Sequence, residues 1–268
     1  VTDSTLWHDE GYQGWFHPRS GVDESTSIQN WDDPDELEYF ELSGLPDFAQ
    51  ENPQVYNFLL DVSKFWIGQT GCDGFRLDAV KHIQREFWER INRDVHKFAG
   101  PDFMMLGEVF SGDTELVASY QNLGFNALFD IPMYYTLKRV FAQGGSMQLL
   151  SEQLQANRNQ YDQILLSPLI DNHDVARFSY WAQDHQAEKI KLALTFTWML
   201  NGMPMLYYGT EAALPGAAPE NEQTGEGQDY LNRLPMPWSQ LKNDHQPMIQ
   251  RIQTLNTLRQ TTPCLQQG

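Results

Sequence analysis

The sequence predicts an α/β protein built on a parallel sheet, and two observations support this fold class. Short apolar runs that suit buried strands recur at 74–80, 103–109, 126–131, 164–171 and 204–209. Segments with apolar residues at helical spacing separate these runs. Strands that alternate with helices imply parallel pairing through right-handed crossovers. No internal repeat or low-complexity segment favours a different architecture.

The chain begins with a segment of irregular character and continues with a helix. Residues 1–49 are aromatic and acidic, with turn-forming residues between scattered tryptophans, so they predict irregular structure with a few short strands. Asn52 followed by Pro53 is typical of a helix start. The apolar face of this helix, predicted over 53–69, consists of Val55, Leu59, Val62 and Trp66.

A second helix is predicted between the first two strands. Its apolar face consists of Ile83, Phe87, Ile91, Val95 and Phe98, and Gly100 with Pro101 ends it. Further helices are predicted near 113–120, 133–142, 146–158, 186–201 and 245–260. The helix over 186–201 should bury Ile190, Leu194 and Thr197.

The strand predicted over 74–80 contains two charged residues. Arg76 and Asp78 are two positions apart, so both project from the same face of the strand. A charge on a buried strand needs a partner or a chemical role. One interpretation is an ion pair that only stabilises the core, and the other is a functional site.

Three of the predicted strands deliver a carboxylate at their C-terminal ends. Asp78 lies at the end of the first, Glu108 ends the run FMMLGEV, and Asp174 ends the run LLSPLIDNHD beside His173. In (β/α)8 barrel enzymes the active site is assembled from the loops that follow the strands. The three strand-end carboxylates therefore resemble the active site of such a barrel.

Four short motifs make the resemblance specific, namely GFRLDAVKH at 74–82, GEVF at 107–110, IDNHD at 170–174 and LPDF at 45–48. They resemble signature regions of the α-amylase family of glycoside hydrolases. The runs MPMLYYG at 203–209 and NRLPMPW at 232–238 resemble the family's eighth strand and a stretch that often follows it.

This resemblance implies a fold and a domain organisation. The fold would be a partial (β/α)8 TIM barrel comprising strands four to eight, with residues 1–49 as the family's irregular inserted domain and residues 50–268 as the C-terminal part of the barrel. The family's first signature, an Asp followed by Asn-His, is absent, as are recognisable strands one to three. We therefore expect a fragment whose partner is the missing N-terminal part of the barrel. The strands at 74–80 and 204–209 would be open edges, which predicts poor solubility and reduced activity of the fragment alone.

The resemblance also implies roles for individual residues. Asp78 would be the nucleophile and Glu108 the general acid/base of a retaining glycoside hydrolase. Asp174 would hold substrate hydroxyls and favour the distorted sugar ring, and His173 would hydrogen-bond those hydroxyls. Arg76, on the face of Asp78, favours the ionised nucleophile.

Two residues that follow Asp78 match the family pattern less specifically. Lys81 and His82 correspond to positions that reach sugars beyond the cleavage point, and the carbonyl of His82 is a candidate calcium ligand. Charged residues after a strand are common in any α/β protein, so a plain surface position is the alternative. Among the tryptophans, Trp15 and Trp31 are candidate sugar platforms because their surroundings predict loops. Three others, Trp66, Trp88 and Trp198, lie in predicted helices and are expected to pack in the core.

The composition of the chain limits the kinds of partner that it is expected to bind. Eighteen basic residues against thirty-six acidic ones argue against a nucleic-acid partner and suit a neutral substrate in a salty or extracellular setting. No segment is apolar over the length of a membrane-spanning helix. Two cysteines, Cys72 and Cys264, form neither a disulfide framework nor a metal-ligand spacing. An extracellular or periplasmic location is the expectation, although the chain shows no signal-peptide pattern.

The acidic excess of residues 1–49 has two interpretations. Its carboxylates could form a solvated surface, or some of them could bind calcium, which prefers oxygen ligands. The resemblance favours a calcium ion between this segment and the barrel.

The function that these observations predict is hydrolysis of α-1,4-glucosidic bonds in starch or maltodextrins. The residues KH after the nucleophile and the motif LPDF favour an amylase over the α-1,6 and sucrose-acting branches of the family. The alternatives are a cyclodextrin-forming or other α-glucan transglycosylase, and a non-catalytic glucan-binding protein on a degenerate barrel.

Overall fold

The computed structural model describes residues 12, 14–17, 28–42, 45–221, 227, 229–238 and 246–267. Most of the first 27 residues of the segment 1–49, which is predicted to be irregular, lie outside these ranges, as do residues 222–226. Within the described ranges, no helix combines the length and apolar character needed to cross a membrane.

Four short strands form a sheet in the described part of the chain. They are β1 Gly74–Leu77, β2 Met104–Gly107, β3 Ala127–Phe129 and β4 Leu165–Ser167. Their order in the sheet is the order of the chain, β1-β2-β3-β4, and β1 and β2 are parallel. An α/β fold with a parallel sheet, as the sequence predicts, is therefore confirmed.

Helices alternate with these strands. The α-helices are α1 Pro34–Tyr39, α2 Pro53–Thr70, α3 Arg85–Ala99, α4 Thr114–Ala118, α5 Ile131–Leu137, α6 Gln148–Gln160, α7 Phe178–Trp181, α8 Gln186–Met199, α9 Asp229–Asn232, α10 Gln246–Thr261 and α11 Cys264–Gln267. Short 3₁₀ turns cover Val80–His82 and Thr210–Ala212, and Lys138–Ala142 continues α5 as a π-helical turn.

The chain divides into two compact units. Unit 1 comprises Val1–Phe110 and Ser119–Ala127, and unit 2 comprises Ser111–Ala118 and Leu128–Gly268. The predicted domain boundary between residues 49 and 50 stays a prediction.

In unit 1, α2 begins as the sequence predicts and buries a different face. The Asn52 side chain accepts a hydrogen bond from the N–H of Gln54, and Pro53 occupies the first turn. The buried residues of α2 are Val55, Tyr56 and Leu60. The predicted burial of Val62 and Trp66 is wrong, because these side chains are 36% and 53% exposed. The helix packs through its N-terminal half, where Tyr56 Oη donates to Asp94 on α3 over 2.8 Å.

The face of α3 follows the prediction closely. Phe87, Ile91 and Val95 are buried, and the helix ends before Gly100, which has a φ of 102°. Phe98 is the exception, with 52% of its surface exposed. Helical spacing places Phe98 on the same face of α3 as Ile91 and Val95, but the Phe98 side chain, in the last turn of the helix, stays exposed.

Unit 2 has an apolar core between helices. Its fully buried members include Met133, Leu137, Phe178, Ile190 and Leu194. The predicted face of α8 is confirmed, since Ile190, Leu194 and Thr197 are all buried. The core burial of Trp88 in unit 1 and Trp198 in unit 2 is also confirmed.

The predicted strand over 204–209 is not a regular strand in the structure. Its first residues follow β4, and the N–H groups of Met203 and Met205 donate to the carbonyls of Leu166 and Pro168 over 2.8 and 2.9 Å. Pro168 has no N–H to donate to the carbonyl of Met203, which accepts from Ser167 Oγ over 2.8 Å, and a turn begins at Tyr208. The segment thus runs along β4 through alternate hydrogen bonds without completing a ladder.

Candidate active site

One group of candidate residues lies in unit 1, where β1 and β2 end. Leu77 is opposite Gly107 in the parallel register, so Asp78 and Glu108 both follow the last paired residues of their strands. The pairing continues briefly, because the N–H of Glu108 donates to the Leu77 carbonyl over 2.9 Å and the Glu108 carbonyl accepts from the N–H of Val80 over 3.0 Å. Both carboxylates therefore start from the same edge of the sheet.

The turn after Asp78 shortens the predicted strand. Ala79 has a φ of 51°, in the left-handed region that residues with a Cβ rarely adopt, and the 3₁₀ turn Val80–His82 follows. A non-glycine residue in this conformation costs free energy and is held in place by its surroundings. The strand consequently ends at Leu77, and Asp78 leaves the sheet.

Arg76 joins the two carboxylates. One terminal nitrogen of its guanidinium donates to Asp78 and the other donates to Glu108. The two partners differ in exposure, since the Asp78 side chain is 73% exposed and the Glu108 side chain 6%. A pair that only stabilised the core would be buried on both sides, so the exposure of Asp78 favours the functional interpretation.

Lys81 and His82 lie on the 3₁₀ turn beside an exposed tryptophan. Lys81 Nζ donates to the carbonyl of Phe110 over 2.9 Å and lies 5.5 Å from the centre of the Trp31 ring. The His82 ring packs edge-on against the same indole at 5.9 Å. Burial, aided by the charge of Lys81, lowers the pKa of His82 to about 4, so its imidazole is neutral near pH 7.

Another group of candidate residues lies in unit 2, on the loop after β4. The side chain of Asn172 accepts hydrogen bonds from the N–H groups of Asp174 and Val175 over 2.8 and 3.2 Å. His173 Nε2 lies 3.2 Å from Asp174 Oδ2. The side chain of Arg233 donates to Asp174 Oδ1 over 2.8 Å.

A buried aspartate holds the base of this loop. Asp171 accepts hydrogen bonds from the N–H of Phe178 over 3.0 Å and from Thr210 Oγ1 over 2.8 Å. Burial raises the pKa of Asp171, against the effect of these hydrogen bonds. Its role is structural, since Asp171 is only 2% exposed and both of its carboxylate oxygens bond to the protein.

The structure thus brings together some of the predicted residues. Arg76, Asp78 and Glu108 are in direct contact in unit 1, and His173 and Asp174 are in contact in unit 2. The convergence of Asp174 with the other two carboxylates stays a prediction. The sequence analysis assigned no role to Arg233. The only sequence signal for this residue is the motif NRLPMPW, which contains it.

The described residues test the predicted calcium site only in part. Within the ranges given above, no group of three or more histidine, cysteine or acidic side chains forms a metal-binding arrangement. Two acidic residues of the segment 1–49 have partners within the protein, since Asp33 caps α1 and Glu36 accepts hydrogen bonds from the N–H groups of Gln29 and Asn30. The calcium site therefore stays a prediction.

Asp78 and Glu108 thus lie at the ends of neighbouring parallel strands, and comparison with known proteins identifies the family of the chain. The model of the alpha-amylase catalytic domain matches residues 4–262. The chain belongs to this family.

Individual relatives agree with this assignment. The chain is 32% identical to a beta/alpha-amylase of Paenibacillus polymyxa over 95% of its own length, and 29% identical to a cyclomaltodextrin glucanotransferase of Klebsiella oxytoca over 95%. Among solved structures, an alpha-amylase of Geobacillus thermoleovorans in complex with acarbose is similar with a TM-score of 0.83 and 34% identity over 97% of the chain. An Anoxybacillus alpha-amylase is similar with a TM-score of 0.85 and 35% identity over 98%.

The chain is shorter than these relatives. It spans 20% of the Paenibacillus protein and 42% of the Klebsiella protein. It covers 55% of each of the two solved amylases.

Proposed function

We propose that the protein is a retaining glycoside hydrolase that cleaves α-1,4-glucosidic bonds in starch or maltodextrins. The observation that carries the proposal is the contact of one guanidinium, that of Arg76, with both Asp78 and Glu108 at neighbouring strand ends. Retaining hydrolysis needs two carboxyl groups about 5 Å apart. One guanidinium that bonds to both can span such a separation.

The exposures of the two carboxylates support their different roles. The nucleophile has to reach the anomeric carbon of the sugar, and Asp78 is the exposed member of the pair. We assign Glu108, the buried member of the pair, as the general acid/base.

The reaction follows from these roles. The Asp78 carboxylate attacks the anomeric carbon while Glu108 transfers its proton to the leaving glycosidic oxygen, which gives a covalent glycosyl-enzyme. Water then attacks the same carbon, Glu108 takes the water's proton, and the bond to Asp78 breaks. The product keeps the configuration of the substrate.

The remaining candidate residues would hold the glucan. We assign His173 and Asp174 to the hydroxyl groups of the sugar at the cleavage point. Lys81, His82 and the exposed Trp31 would contact sugars beyond it, because an indole face and a cation lie side by side there.

Transglycosylation is the second candidate, and the similarity to a cyclomaltodextrin glucanotransferase favours it specifically. In that reaction a sugar hydroxyl, in place of water, attacks the glycosyl-enzyme. A non-catalytic glucan-binding protein is the third candidate, against which the intact pair of carboxylates argues.

Calcium binding and an extracellular or periplasmic location are further proposals. Acidic residues of the segment 1–49, together with the carbonyl of His82, are the candidate calcium ligands. The acidic excess of the chain suits a neutral substrate outside the cell.

Incubation with amylose and maltodextrins, followed by chromatography of the products, tests the proposal. Linear oligosaccharides with new reducing ends would support hydrolysis, and cyclic or elongated products would support transglycosylation. Binding of glucan without any product would contradict both hydrolysis and transglycosylation.

A further inference from the structure

We propose that Arg233 is a positioning residue that fixes the orientation of the Asp174 carboxylate. The proposal rests on the proposed function, in which Asp174 contacts the substrate. Arg233 itself acts through Asp174 and through the backbone of His173.

Arg233 contacts two neighbouring residues of the same loop. Its Nη2 donates to Asp174 Oδ1 over 2.8 Å, and its Nε donates to the carbonyl of His173 over 3.1 Å. The other oxygen of Asp174 lies 3.2 Å from Nε2 of His173. Each carboxylate oxygen thus has its own partner, which restricts rotation of the group about its last bond.

The backbone on both sides of Arg233 is anchored. The carbonyl of Asn232 accepts hydrogen bonds from Arg177 Nη2 over 3.1 Å and from Tyr207 Oη over 3.2 Å. The carbonyl of Leu234 accepts one from Tyr208 Oη over 2.8 Å. Residues on both sides of Arg233 are therefore tied to the same Tyr207–Tyr208 segment.

The anchor is itself buried. Arg177 is only 2% exposed, and its other terminal nitrogen donates to the carbonyl of Tyr208 over 2.7 Å. The guanidinium lies 4.7 Å and 5.0 Å from the ring centres of Tyr207 and Tyr208. A desolvated guanidinium that is held by carbonyls and aromatic rings gives Arg233 a rigid support.

This geometry suits catalysis more than stability. Arg233 is 45% exposed along its side chain and Asp174 31%, so their ion pair contributes little to folding. A binding carboxylate that is aligned before the substrate arrives does not have to be ordered during the reaction. Removal of Arg233 should therefore affect turnover more than folding.

The contact set also distinguishes arginine from lysine. Arg233 donates from two different nitrogens to two different acceptors, the Asp174 carboxylate and the His173 carbonyl. A lysine keeps the charge but has a single ammonium, which cannot reproduce this fork. Arg233→Lys should recover only part of the loss caused by Arg233→Ala.

The test measures starch hydrolysis by variants of the intact protein. Arg233→Ala should lower kcat by about tenfold to a hundredfold with little change in KM, as expected for a misoriented group. The matched control is Arg251→Ala, since Arg251 is an exposed arginine of unit 2 whose side chain bonds to Thr195. The control should leave kcat unchanged.

The decisive measurement is a double-mutant cycle with Asp174→Asn. If Arg233 acts through Asp174, then Arg233→Ala should cause no further loss of kcat in the Asp174→Asn background. Full additivity of the two losses would overturn the proposal, as would normal kcat in Arg233→Ala.

Failure of the proposed function can be told apart from failure of this inference. Wild-type protein that releases no sugar product would reject the glucan hydrolase assignment alone. In that case, crystal structures of the wild type and of Arg233→Ala would be compared. An Asp174 carboxylate that is reoriented or disordered in Arg233→Ala would support the inference, and an ordered carboxylate in its original orientation would reject it.

Discussion

Arg76 on β1 donates a hydrogen bond to the carboxylate of Glu108, which follows the neighbouring parallel strand β2. The contact joins residues that are 32 positions apart, and it exists because both strands end at the same edge of the sheet. Since Arg76 also bonds to Asp78, the guanidinium links the two carboxylates of the proposed reaction.

Replacement of Asp78 tests the nucleophile directly. Asp78→Asn should lower kcat by at least about 10³-fold, because an amide cannot form the glycosyl-enzyme, while binding of glucan remains. Turnover of maltodextrin and glucan affinity are the two measurements. Asp61→Asn is the matched control, since Asp61 is an aspartate with a 78% exposed side chain on α2. Near-normal turnover in Asp78→Asn would remove Asp78 from the nucleophile role.

Arg76 should matter for stability as well as for turnover. Arg76→Met leaves the buried Glu108 without this charged donor, which should lower the free energy of unfolding by about 2 kcal/mol. Denaturant unfolding measures this change. Arg93→Met, which removes an ion pair between an exposed arginine and Asp94, should cost at most about 1 kcal/mol. Equal losses in the two variants would contradict the special role of Arg76.

Trp31 is expected to bind sugar through its exposed indole. Trp31→Ala should raise KM for maltodextrins by roughly two- to tenfold, which corresponds to the loss of about 0.5–1.5 kcal/mol of aromatic contact. Initial rates over a range of substrate concentration provide KM. The control is Trp66→Ala on α2, because Trp66 is 53% exposed and Trp31 is 54% exposed. An equal effect of both substitutions would argue that neither indole is a sugar platform.

His17 should make stability depend on pH. Burial lowers the pKa of His17, but hydrogen bonds and charges from Asp47 and Glu51 outweigh it, so the pKa is raised above its usual value. Because its folded pKa is above the unfolded value of about 6.5, protonated His17 stabilises the fold at pH values below about 6.5. This contribution disappears as the pH rises through the folded pKa.

The His17 contribution is measured as the difference in melting temperature between wild type and His17→Gln. This difference should be larger at pH 6 than at pH 8. His82 has the opposite sign, since its lowered pKa costs stability as pH falls, and it is present in both proteins, so it cancels from the difference. A difference that is constant between the two pH values would show that the imidazolium is not what Asp47 and Glu51 stabilise.

Removal of calcium by a chelator tests the proposed calcium site. An ion that binds only the folded protein stabilises it by mass action, so EDTA should lower the melting temperature and added Ca²⁺ should restore it. Mg²⁺ serves as the control, because it demands a smaller octahedral site. An unchanged melting temperature at saturating chelator would leave the acidic residues of the first segment as a solvated surface.

Local sequence was sufficient for the features that depend on neighbouring residues. The start of α2 at Asn52 and Pro53 follows from capping chemistry, and the end of α3 at Gly100 follows from the backbone freedom of glycine. The apolar runs at 74–80 and 103–109 place Asp78 and Glu108 near the C-terminal ends of their strands, although each strand ends one residue before its carboxylate. The motifs around these residues also sufficed to identify the family.

Tertiary structure decided the features that depend on residues far apart in the chain. Helical spacing predicts that Trp66 and Trp88 both pack in the core, yet only Trp88 is buried, because burial depends on which surfaces meet. The contact between Arg233 and Asp174 spans 59 positions and has no periodic signal. Spacing along the chain encodes which residues share a face of one helix or strand, whereas the partner of that face is set by packing between elements.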